Sequence, residues 1–354
     1  MPLLPADRTI LIYEYLTGGG LYSEGPAGSS VASLLAEGAA MVRALTTDFA
    51  QVERCQVHAL CDARQRGLNL GHCVRHLIHD EAEELQVLRH WSSRADWTVV
   101  IAPETGGALS RRVEVVEKAG GRLLGPSANW VQVASHKTET VARLAAAGVA
   151  TPRSLRSLSD AIYPDDYPLI IKPIDGAGCL GLQRLELPIA DHPAAKTPDP
   201  WHIESWVAGL PVSVSLLCRD QETIVLPAGQ QCFSEGAHGH YLGGRMPLSE
   251  PWRGRAERLA QEAMRALPGA RGFVGVDLIL GDDQNGSLDV VLEVNPRLTT
   301  SYVGLRELLD QNLAELMLCL VEGGRCDMVL PLRGVEFDAD GTTRNLPGSL
   351  TIPV

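Results

Sequence analysis

The sequence predicts an α/β protein with a parallel sheet at its N-terminal end and a mixed α+β region after it. Up to residue 124, short apolar segments typical of strands alternate with segments whose apolar residues recur at helical spacing. This alternation is typical of strand–helix–strand units, which form parallel sheets. From residue 125 onwards, strand-like segments predominate. The predicted strands are 9–13, 55–60, 97–102, 122–124, 169–173, 181–185, 202–207, 212–218, 223–228, 273–280 and 288–295, and the predicted helices are 31–46, 80–92, 109–119, 135–147, 254–267 and 304–321.

The length of the chain indicates more than one domain. With 354 residues, it exceeds the size at which a single hydrophobic core usually stops growing. Its content of 45% hydrophobic and 21% charged residues is that of a soluble globular protein. We expect an N-terminal α/β domain at 1–124, a small subdomain with a glycine loop at 125–200, a larger C-terminal subdomain at 201–324 and a tail at 325–354.

The net charge and the cysteine pattern limit the expected partners and compartment. A net charge of −12 argues against an extended basic surface for nucleic acid or membrane, whereas a nucleotide requires only a few local cations. The eight cysteines show no C-x-x-C pair and no zinc-type spacing. Neither a signal peptide nor an apolar run of the ~20 residues that span a bilayer is recognisable. We therefore expect a cytoplasmic protein with reduced thiols and with neither nucleic-acid nor membrane partners.

A run of polar residues around position 295 predicts a site for a metal-bound polyphosphate. Glu293 and Asn295 are two residues apart in a predicted strand and so lie on the same face. Arg297 continues that face beyond Pro296, and Asp277 lies in the preceding apolar strand. Carboxylate and amide oxygens are the ligands that Mg²⁺ takes, with phosphate oxygens and waters as the remaining ligands. We therefore expect Asp277, Glu293 and Asn295 to hold Mg²⁺, with Arg297 at the rim of the site.

Two lysines and a glycine-rich loop are candidates for binding phosphate. Lys172 lies inside an apolar strand, where an ammonium group is costly to desolvate without an anionic partner; the alternative is a side chain that points outward. Lys137 opens a predicted helix, where anions are favoured, or else is a solvated surface lysine. Glycines after the strand of Lys172 let backbone N–H groups approach a phosphate closely, although such a hairpin is more often a simple turn. These glycines are Gly176, Gly178 and Gly181.

The segment Glu204-Ser205-Trp206-Val207 is the end of another predicted strand. A carboxylate beside exposed backbone N–H and C=O groups can bind the edge of an adenine. An acid near an aromatic residue is common in proteins. This segment therefore indicates a nucleotide site only in combination with the other motifs.

The order of these motifs resembles that of the ATP-grasp superfamily. Five separated motifs, from the lysine of the 135–147 helix to the E-x-N-P-R run, follow one another in the same order between about residues 125 and 321. The resemblance implies an ATP-grasp fold with an N-terminal pre-ATP-grasp domain, and the use of ATP with Mg²⁺ or Mn²⁺. One difference is the short, proline-rich segment between the glycine loop and Glu204. The implied phosphate ligands are Lys137, Lys172, Gly176, Gly178 and Gly181, the adenine ligands are Glu204, Trp206 and Val207, the metal ligands are Asp277, Glu293 and Asn295, and the catalytic cations are Lys172 and Arg297.

The N-terminal segment carries a second and less specific resemblance. The run Ile12-Tyr13-Glu14-Tyr15-Leu16-Thr17-Gly18-Gly19-Gly20, with Ala102-Pro103-Glu104, is similar to the tyramine–glutamate ligases of methanofuran biosynthesis and their bacterial relatives in one-carbon metabolism. This resemblance implies ligation of an amino-acid carboxylate, such as that of glutamate, to an amine. Glu14 or Glu104 would then bind an ammonium group; the alternative is that each only caps a helix or loop.

Two further residues are candidates for the substrate site. Arg245 ends a glycine-rich segment and can bind a carboxylate through two parallel hydrogen bonds. Tyr302 follows the predicted metal motif and either lines the acceptor pocket or packs in the core.

Together the resemblances imply an ATP-dependent carbon–nitrogen ligase for small-molecule substrates. A carboxylate would attack the γ-phosphate of ATP, an amine would capture the acyl phosphate, and ADP and phosphate would be released. Members of the superfamily are commonly dimers, so a homodimer is one expectation for the assembly. Two alternatives stay open: a non-catalytic ATP-binding regulator on the same fold, and a dinucleotide-dependent oxidoreductase. The absence of G-x-G-x-x-G after the first strand disfavours the second alternative.

Overall fold

Three sheets with flanking helices make up the described part of the molecule, which confirms the predicted mixture of parallel α/β and antiparallel α+β layers. The structure is a computed structural model that describes residues 8–24, 29–161, 163, 166–176, 181–188, 201–234, 240–325, 328–329 and 333–347. Within these residues, no helix is long and apolar enough to cross a membrane.

The N-terminal sheet is parallel and has the strand order β3-β2-β1-β4. Ile10, Leu11 and Ile12 in its central strand are at most 1% exposed, as expected for a strand covered on both faces. Parallel strands end at the same edge of a sheet, so Glu14 at the end of β1 and Glu104 just after β4 lie at one edge. The strands are β1 (Arg8–Glu14), β2 (Cys55–Asp62), β3 (Val74–Ile78) and β4 (Trp97–Ile101), and the helices are α1 (Ser29–Gln51), α2 (Glu81–Ser92) and α3 (Ala108–Lys118).

Two consecutive helices, α4 (Ala128–Ser135) and α5 (Lys137–Ala146), lead out of this layer. The side chain of Ser127 accepts a hydrogen bond from the backbone of Trp130 and so caps α4. His136 separates the two helices, and its Nδ1 accepts a hydrogen bond from the backbone N–H of Glu139 at 3.3 Å. This cap fixes where α5 starts and makes Lys137 its first residue.

A small antiparallel sheet follows, with the strand order β5-β8-β6-β7. It has a core of its own, in which Leu169, Ile171 and Ile203 are at most 1% exposed. Successive residues of a strand point to opposite faces of the sheet, so the side chain of Lys172 lies on the face opposite to that of Ile171. The strands are β5 (Ser154–Leu155), β6 (Leu169–Pro173), β7 (Gln183–Leu185) and β8 (Trp201–Ser205).

The large sheet is antiparallel, with the order β14-β13-β9-β11-β12-β15-β16 and β10 paired to β9. Helix α6 (Trp252–Ala266) packs its buried alanines and leucine against β9 and β13. The other helices are α7 (Ser301–Leu308) and α8 (Leu313–Val321). The strands are β9 (Leu210–Arg219), β10 (Glu222–Val225), β11 (Gly229–Phe233), β12 (Tyr241–Met246), β13 (Arg271–Leu280), β14 (Val290–Asn295), β15 (Gly334–Asp338) and β16 (Thr343–Leu346).

Several predicted elements differ from the observed ones. The predicted strand at 122–124 is only an isolated parallel bridge between Thr98 and Leu123. The predicted loop that ends at Arg245 contains strand β12, and the tail supplies β15 and β16 to the same sheet. The predicted helix at 304–321 is two helices, because Asn312 caps the start of α8 by accepting from the backbone of Ala314. The proline-rich connection at 188–200 lies almost entirely outside the described residues.

The N-terminal layer is fastened to the large sheet through α1. Asp48 of α1 accepts hydrogen bonds from the hydroxyl of Tyr302 at 2.8 Å and from Nη2 of Arg306 at 2.7 Å. Apolar residues of α1, α7 and α8 belong to one continuous buried cluster. Helix α1 is therefore held against α7 and α8, the helices that follow the strand of the predicted metal site.

Candidate active site

Asp277 and Glu293 face each other on neighbouring strands. The antiparallel register of β13 and β14 pairs Asp277 with Glu293, and it pairs Gly275 with Asn295. Asp277 is held from two sides, because Gln231 donates to its Oδ1 at 3.1 Å and Asn295 donates to its Oδ2 at 2.9 Å. The strand ladder thus brings together the three residues that the sequence predicts as metal ligands, and adds Gln231.

The two carboxyl groups influence each other's ionisation. Burial and the negative charge of Glu293 raise the pKa of Asp277 to about 6. Burial also acts to raise the pKa of Glu293, but the positive charges of Lys137 and Lys172 outweigh it and hold this pKa below its ordinary value. Two buried acids that repel each other form an arrangement that a divalent cation relieves.

Lys137 brings a positive charge to these acids from the N-terminus of α5. The residue is only 8% exposed, and its Nζ lies 3.3 Å from Oε2 of Glu293. The same ammonium group donates to the backbone oxygen of Gly176, at the start of the glycine loop. A buried ammonium between a carboxylate and a glycine loop can exchange these partners for phosphate oxygens. The alternative of a solvated surface lysine does not match this burial.

Lys172 is also buried, at 7% exposure, and its Nζ lies 2.6 Å from Oε1 of Glu204. The other oxygen of Glu204 is 3.1 Å from Nε2 of His202, whose Nδ1 is 3.2 Å from the hydroxyl of Thr138. Burial acts to raise the pKa of Glu204, but the charge of Lys172 and the hydrogen bond with His202 lower it below its ordinary value. Glu204 is therefore ionised and positions Lys172 at the edge of the cavity.

Arg297 joins the metal-site strand to the N-terminal layer. Its Nε donates to Oε1 of Glu104 at 2.9 Å and its Nη2 to Oε2 at 3.3 Å. Burial acts to lower the pKa of the guanidinium, but the charges of Glu104, Glu293 and Asp277 raise it overall. The arginine therefore carries a permanent positive charge beside the acid pair.

One cavity of about 510 Å³ brings these groups together. The two lysines and Gly176 line one part of it, the acid pair and the arginine line another, and a third part is lined by residues of α1, β11 and β12. The lining residues include Lys137, Lys172 and Gly176, then Asp277, Glu293, Asn295 and Arg297, and finally Ser33, Leu34, Glu37, Phe233, His240 and Tyr241.

The remaining predicted nucleotide ligands are placed less directly. Gly178 lies outside the described residues. Gly181 has a φ of +73°, a left-handed conformation that favours glycine. Trp206 is 42% exposed, its backbone N–H donates to the oxygen of Pro168 at 2.9 Å, and Val207 beside it is half-buried. The backbone N–H of Trp206 is therefore already paired within the protein. The adenine-binding roles of Trp206 and Val207 stay predictions.

The predicted substrate residues separate into two groups. Glu104 is beside the cavity and bound to Arg297, whereas Glu14 is buried and accepts hydrogen bonds from the backbone N–H groups of Leu16 and Thr17. Burial raises the pKa of Glu14. These contacts support the alternative that Glu14 caps a loop rather than binding an ammonium group.

The other two substrate candidates are engaged elsewhere. Tyr302 is fully buried with its hydroxyl on Asp48, which supports the packing alternative. Arg245 pairs with Glu336 at 2.7 Å and is not among the described residues that line the cavity.

Glu37 is an ionisable cavity residue that the sequence analysis did not single out. It lies in α1, is half-buried, and receives a hydrogen bond from the hydroxyl of Thr300 at 3.5 Å. A lone acid in the apolar run Val31-Ala32-Ser33-Leu34-Leu35-Ala36-Glu37 was the available signal. Helical periodicity does not indicate that another sheet lies over that position, so the pattern alone does not identify the acid as a cavity residue.

The donor set suits a hard divalent cation. In the described residues there is no cluster of three or more His, Cys, Asp or Glu side chains placed to hold a metal ion. The protein would instead supply the carboxylates of Asp277 and Glu293 and the amide oxygen of Asn295. Such a partial set matches Mg²⁺, which usually keeps waters and substrate phosphates as ligands.

The small antiparallel sheet leads into the glycine-rich loop, and the large antiparallel sheet carries the acid pair. Two buried lysines line the same cavity as these acids. This combination defines an ATP-grasp protein. Residues 134–301 match the ATP-grasp domain and residues 55–131 match the pre ATP-grasp 3 domain. The chain belongs to the ATP-grasp superfamily, and it is an enzyme of the carbon–nitrogen ligase type. The predicted fold and family are thereby confirmed, and the oxidoreductase alternative is wrong because the N-terminal α/β layer matches a pre-ATP-grasp domain.

Relatives cover nearly the whole chain. The tyramine–L-glutamate ligase of Methanocaldococcus fervens is 26% identical over 93% of this chain and 98% of its own length. That of Methanocaldococcus jannaschii is 24% identical over 94% and 95%. A crystal structure of a putative ATP-grasp superfamily protein from Archaeoglobus fulgidus is similar in fold, with a TM-score of 0.69 and 22% identity over 94% of this chain and 92% of that one.

Proposed function

We propose that the protein activates a small-molecule carboxylate with ATP and joins it to an amine through an acyl phosphate, releasing ADP and phosphate. The observation that carries this proposal is that Lys137 and Lys172 line the same cavity as Asp277, Glu293 and Arg297. Phosphoryl transfer depends mainly on positioning and on neutralising the charge of the transferred group. The cavity supplies cations for both purposes.

Each cation has a distinct place in the proposed reaction. Lys137, at the helix start and beside Gly176, holds the terminal phosphates, and Lys172 is aimed by Glu204 at the same triphosphate. Arg297 stabilises the transferred phosphoryl group and is itself held by Glu104. Asp277, Glu293 and Asn295 would hold Mg²⁺, and the metal would supply positive charge to neutralise the phosphates. Mn²⁺ would fit the same oxygen donors.

The proposed substrates follow from the relatives and from the size of the cavity. Both Methanocaldococcus relatives are named for ligation of glutamate to tyramine. A cavity of about 510 Å³ is in the range of sites that enclose small molecules. An amino acid such as glutamate is therefore the proposed carboxylate donor, with a primary amine as acceptor.

A screen for ADP release tests this function. Purified protein with ATP and Mg²⁺ is offered L-glutamate and other amino acids against tyramine and aliphatic amines. We expect ADP release that requires both an acid and an amine, and at least a ~100-fold loss in Lys172→Ala and Glu293→Gln, because each removes a charge-stabilising group. The control is Lys118→Ala, which removes an exposed lysine paired with Glu114 and should leave turnover unchanged.

Three results would contradict the proposal. ATP binding without ADP release from any pair would favour a regulator. Release with bicarbonate alone would indicate a carboxylase. Near-normal turnover of both site variants would mean that the cavity is not the reaction site.

A further inference from the structure

Helix α1 contributes a carboxylate and an apolar side chain to the cavity at neighbouring positions. Leu34 and Glu37 are three residues apart and Ser33 and Glu37 are four apart, so they share one face of the helix. All three line the cavity that also contains the phosphate-binding lysines. The nucleotide and metal roles proposed above use none of these α1 residues.

The carboxyl group of Glu37 has its own hydrogen-bond partner in the cavity. It receives a hydrogen bond from the hydroxyl of Thr300 at 3.5 Å. Burial raises its pKa to about 7, with the charge of Arg297 and the Thr300 hydroxyl acting to lower it and the charge of Glu14 acting to raise it. Tyr241 of β12 lines the same cavity, and burial, followed by the negative charges of Asp277 and Glu37, raises the pKa of its phenol. A carboxyl group with this pKa accepts and releases protons at neutral pH.

Aromatic side chains lie in the same part of the cavity. The rings of Phe233 and Tyr241 meet edge to face, with centroids 5.8 Å apart. Phe233 is 37% exposed although it lies on a strand of the large sheet. Aromatic faces attract organic cations and apolar groups, so this wall favours a ligand with a positive end and an apolar body.

We propose that Glu37 binds the ammonium group of the acceptor amine and removes one of its protons, while Leu34, Phe233 and Tyr241 surround the apolar body of that amine. This inference rests on the ligase function proposed above. It assigns the acceptor side of the cavity to α1, β11 and β12, and it makes the N-terminal domain part of the reaction site.

The proton and electron balance of the step is complete without a further reactant. Glu37 takes one proton from the bound ammonium and later releases it to solvent. The freed lone pair of the amine forms a bond to the acyl carbon, and the bond from that carbon to the phosphate oxygen breaks. The departing phosphate carries the electron pair of the broken bond and takes the second proton that the nitrogen loses. An amide and inorganic phosphate result.

A trapping experiment separates activation of the acid from capture by the amine. Wild-type protein and Glu37→Gln are given L-glutamate, ATP and Mg²⁺, with either hydroxylamine or tyramine as nucleophile. Hydroxylamine is largely unprotonated at neutral pH and does not need a base to remove an ammonium proton. We expect equal hydroxamate formation by both proteins, and a loss of amide formation of at least about 100-fold in Glu37→Gln, the contribution typical of a general base.

The pH profile and matched variants make the result specific. In the wild type, kcat/KM for tyramine should rise as the pH rises through about 7, because Glu37 acts in its ionised form; in Glu37→Gln this rise should disappear. Glu257→Gln is the control, since Glu257 is also partly buried with a pKa raised by burial but lies on α6. Calorimetric titration of tyramine into the ADP·Mg²⁺ complex should show about 10-fold to 100-fold weaker binding to Glu37→Gln, as for loss of a charge-assisted hydrogen bond.

Two outcomes would overturn the inference while leaving the ligase function intact. One is amide formation by Glu37→Gln at the wild-type rate. The other is an equal loss of hydroxamate and amide, which would place Glu37 at the donor glutamate. If Glu37→Gln unfolds, Glu37→Asp, which keeps the carboxylate, replaces it and should keep the rise with pH but with a lower rate. If the wild type forms no hydroxamate, the ligase function itself fails.

Discussion

Glu104 and Arg297 are joined by two hydrogen bonds although 193 residues separate them in the chain. Glu104 follows the edge strand β4 of the parallel sheet, and Arg297 follows β14 of the antiparallel sheet. Their side chains are 5% and 15% exposed, so the pair lies in a low-dielectric environment. The pair therefore positions the guanidinium of Arg297 beside Asp277 and Glu293. It also connects the parallel sheet with the large antiparallel sheet.

Glu104→Gln should destabilise the protein and lower its activity. It leaves Arg297 buried without its carboxylate partner, which costs about 3–5 kcal/mol in comparable pairs. Urea unfolding measures the loss in free energy of unfolding. Glu114→Gln is the control, because its pair with Lys118 is largely exposed and is worth about 0–1 kcal/mol. Equal stability losses in the two variants would contradict the importance of the buried pair.

Glu204→Gln should weaken the use of ATP through Lys172. The amide cannot hold the ammonium group by charge, so Lys172 should be less well aimed at the triphosphate. We expect the KM for ATP to rise about 10-fold, which corresponds to roughly 1.4 kcal/mol of lost binding. Steady-state kinetics at saturating acid and amine measure this change. A lower kcat with an unchanged KM would instead favour a role for Glu204 in the chemical step.

The stability of the metal-free protein should fall as the pH rises through about 6. The pKa of Asp277 is raised from 3.8 to about 6 in the fold, so the stabilisation from its protonated form is fully present below 3.8 and is lost above 6. The two-unit difference corresponds to roughly 3 kcal/mol at most, at about 1.4 kcal/mol per unit. Between pH 5 and pH 8 about one of these two units is lost, which corresponds to roughly 1.4 kcal/mol. Thermal unfolding at these two pH values, in the wild type and in Asp277→Asn, measures this contribution.

Two comparisons check the pH prediction. Asp277→Asn should lose that part of the pH dependence, whereas the part due to Glu37 remains. Mg²⁺ should restore stability at pH 8 in the wild type, because the cation compensates the ionised acid pair. A variant whose pH dependence matches the wild type would show that Asp277 does not titrate in this range.

Gly38→Ala should destabilise the N-terminal layer and displace Glu37. A Cβ at Gly38 would lie 2.6 Å from the carboxyl carbon of Glu14, which the backbone of Leu16 and Thr17 holds in place. Helix α1 would have to shift, at about 1–3 kcal/mol for overpacking. Gly67→Ala is the control, because nothing lies within 4 Å of its added Cβ. Equal unfolding midpoints for the two variants would contradict the close contact.

The elements with strong apolar runs were predictable from the sequence, and those at edges were not. The buried runs of β1, β4, β6 and β13 all appear where periodicity placed them. Strand β3 was missed because Val74 and Leu77 are more than 40% exposed and its sequence, Val-Arg-His-Leu-Ile, lacks clear alternation. Strand β12 was missed because it contains Gly243 and Gly244, which usually disfavour strands. A Cβ at Gly243 would meet the backbone oxygen of Phe337 at 2.0 Å, a closeness that only pairing with the distant β15 explains.

The residues of the candidate site were likewise predictable from the sequence only in part. Asp277, Glu293 and Asn295 could be grouped from strand spacing, because one ladder sets their positions. The partners that come from other layers, such as Gln231 for Asp277 and Glu104 for Arg297, depend on tertiary packing that no local pattern encodes. Glu37 belongs to this second class, and the roles proposed for all of these residues stay predictions until they are measured.

Isotope transfer tests the central claim most directly. L-Glutamate labelled with ¹⁸O in both carboxyl groups is incubated with the protein, ATP, Mg²⁺ and tyramine, and the released phosphate is analysed by mass spectrometry. If the carboxylate attacks the γ-phosphate, each phosphate should carry one ¹⁸O atom from the acid. Stoichiometric amide formation with unlabelled phosphate would contradict the acyl-phosphate route and the proposed arrangement of cations around it.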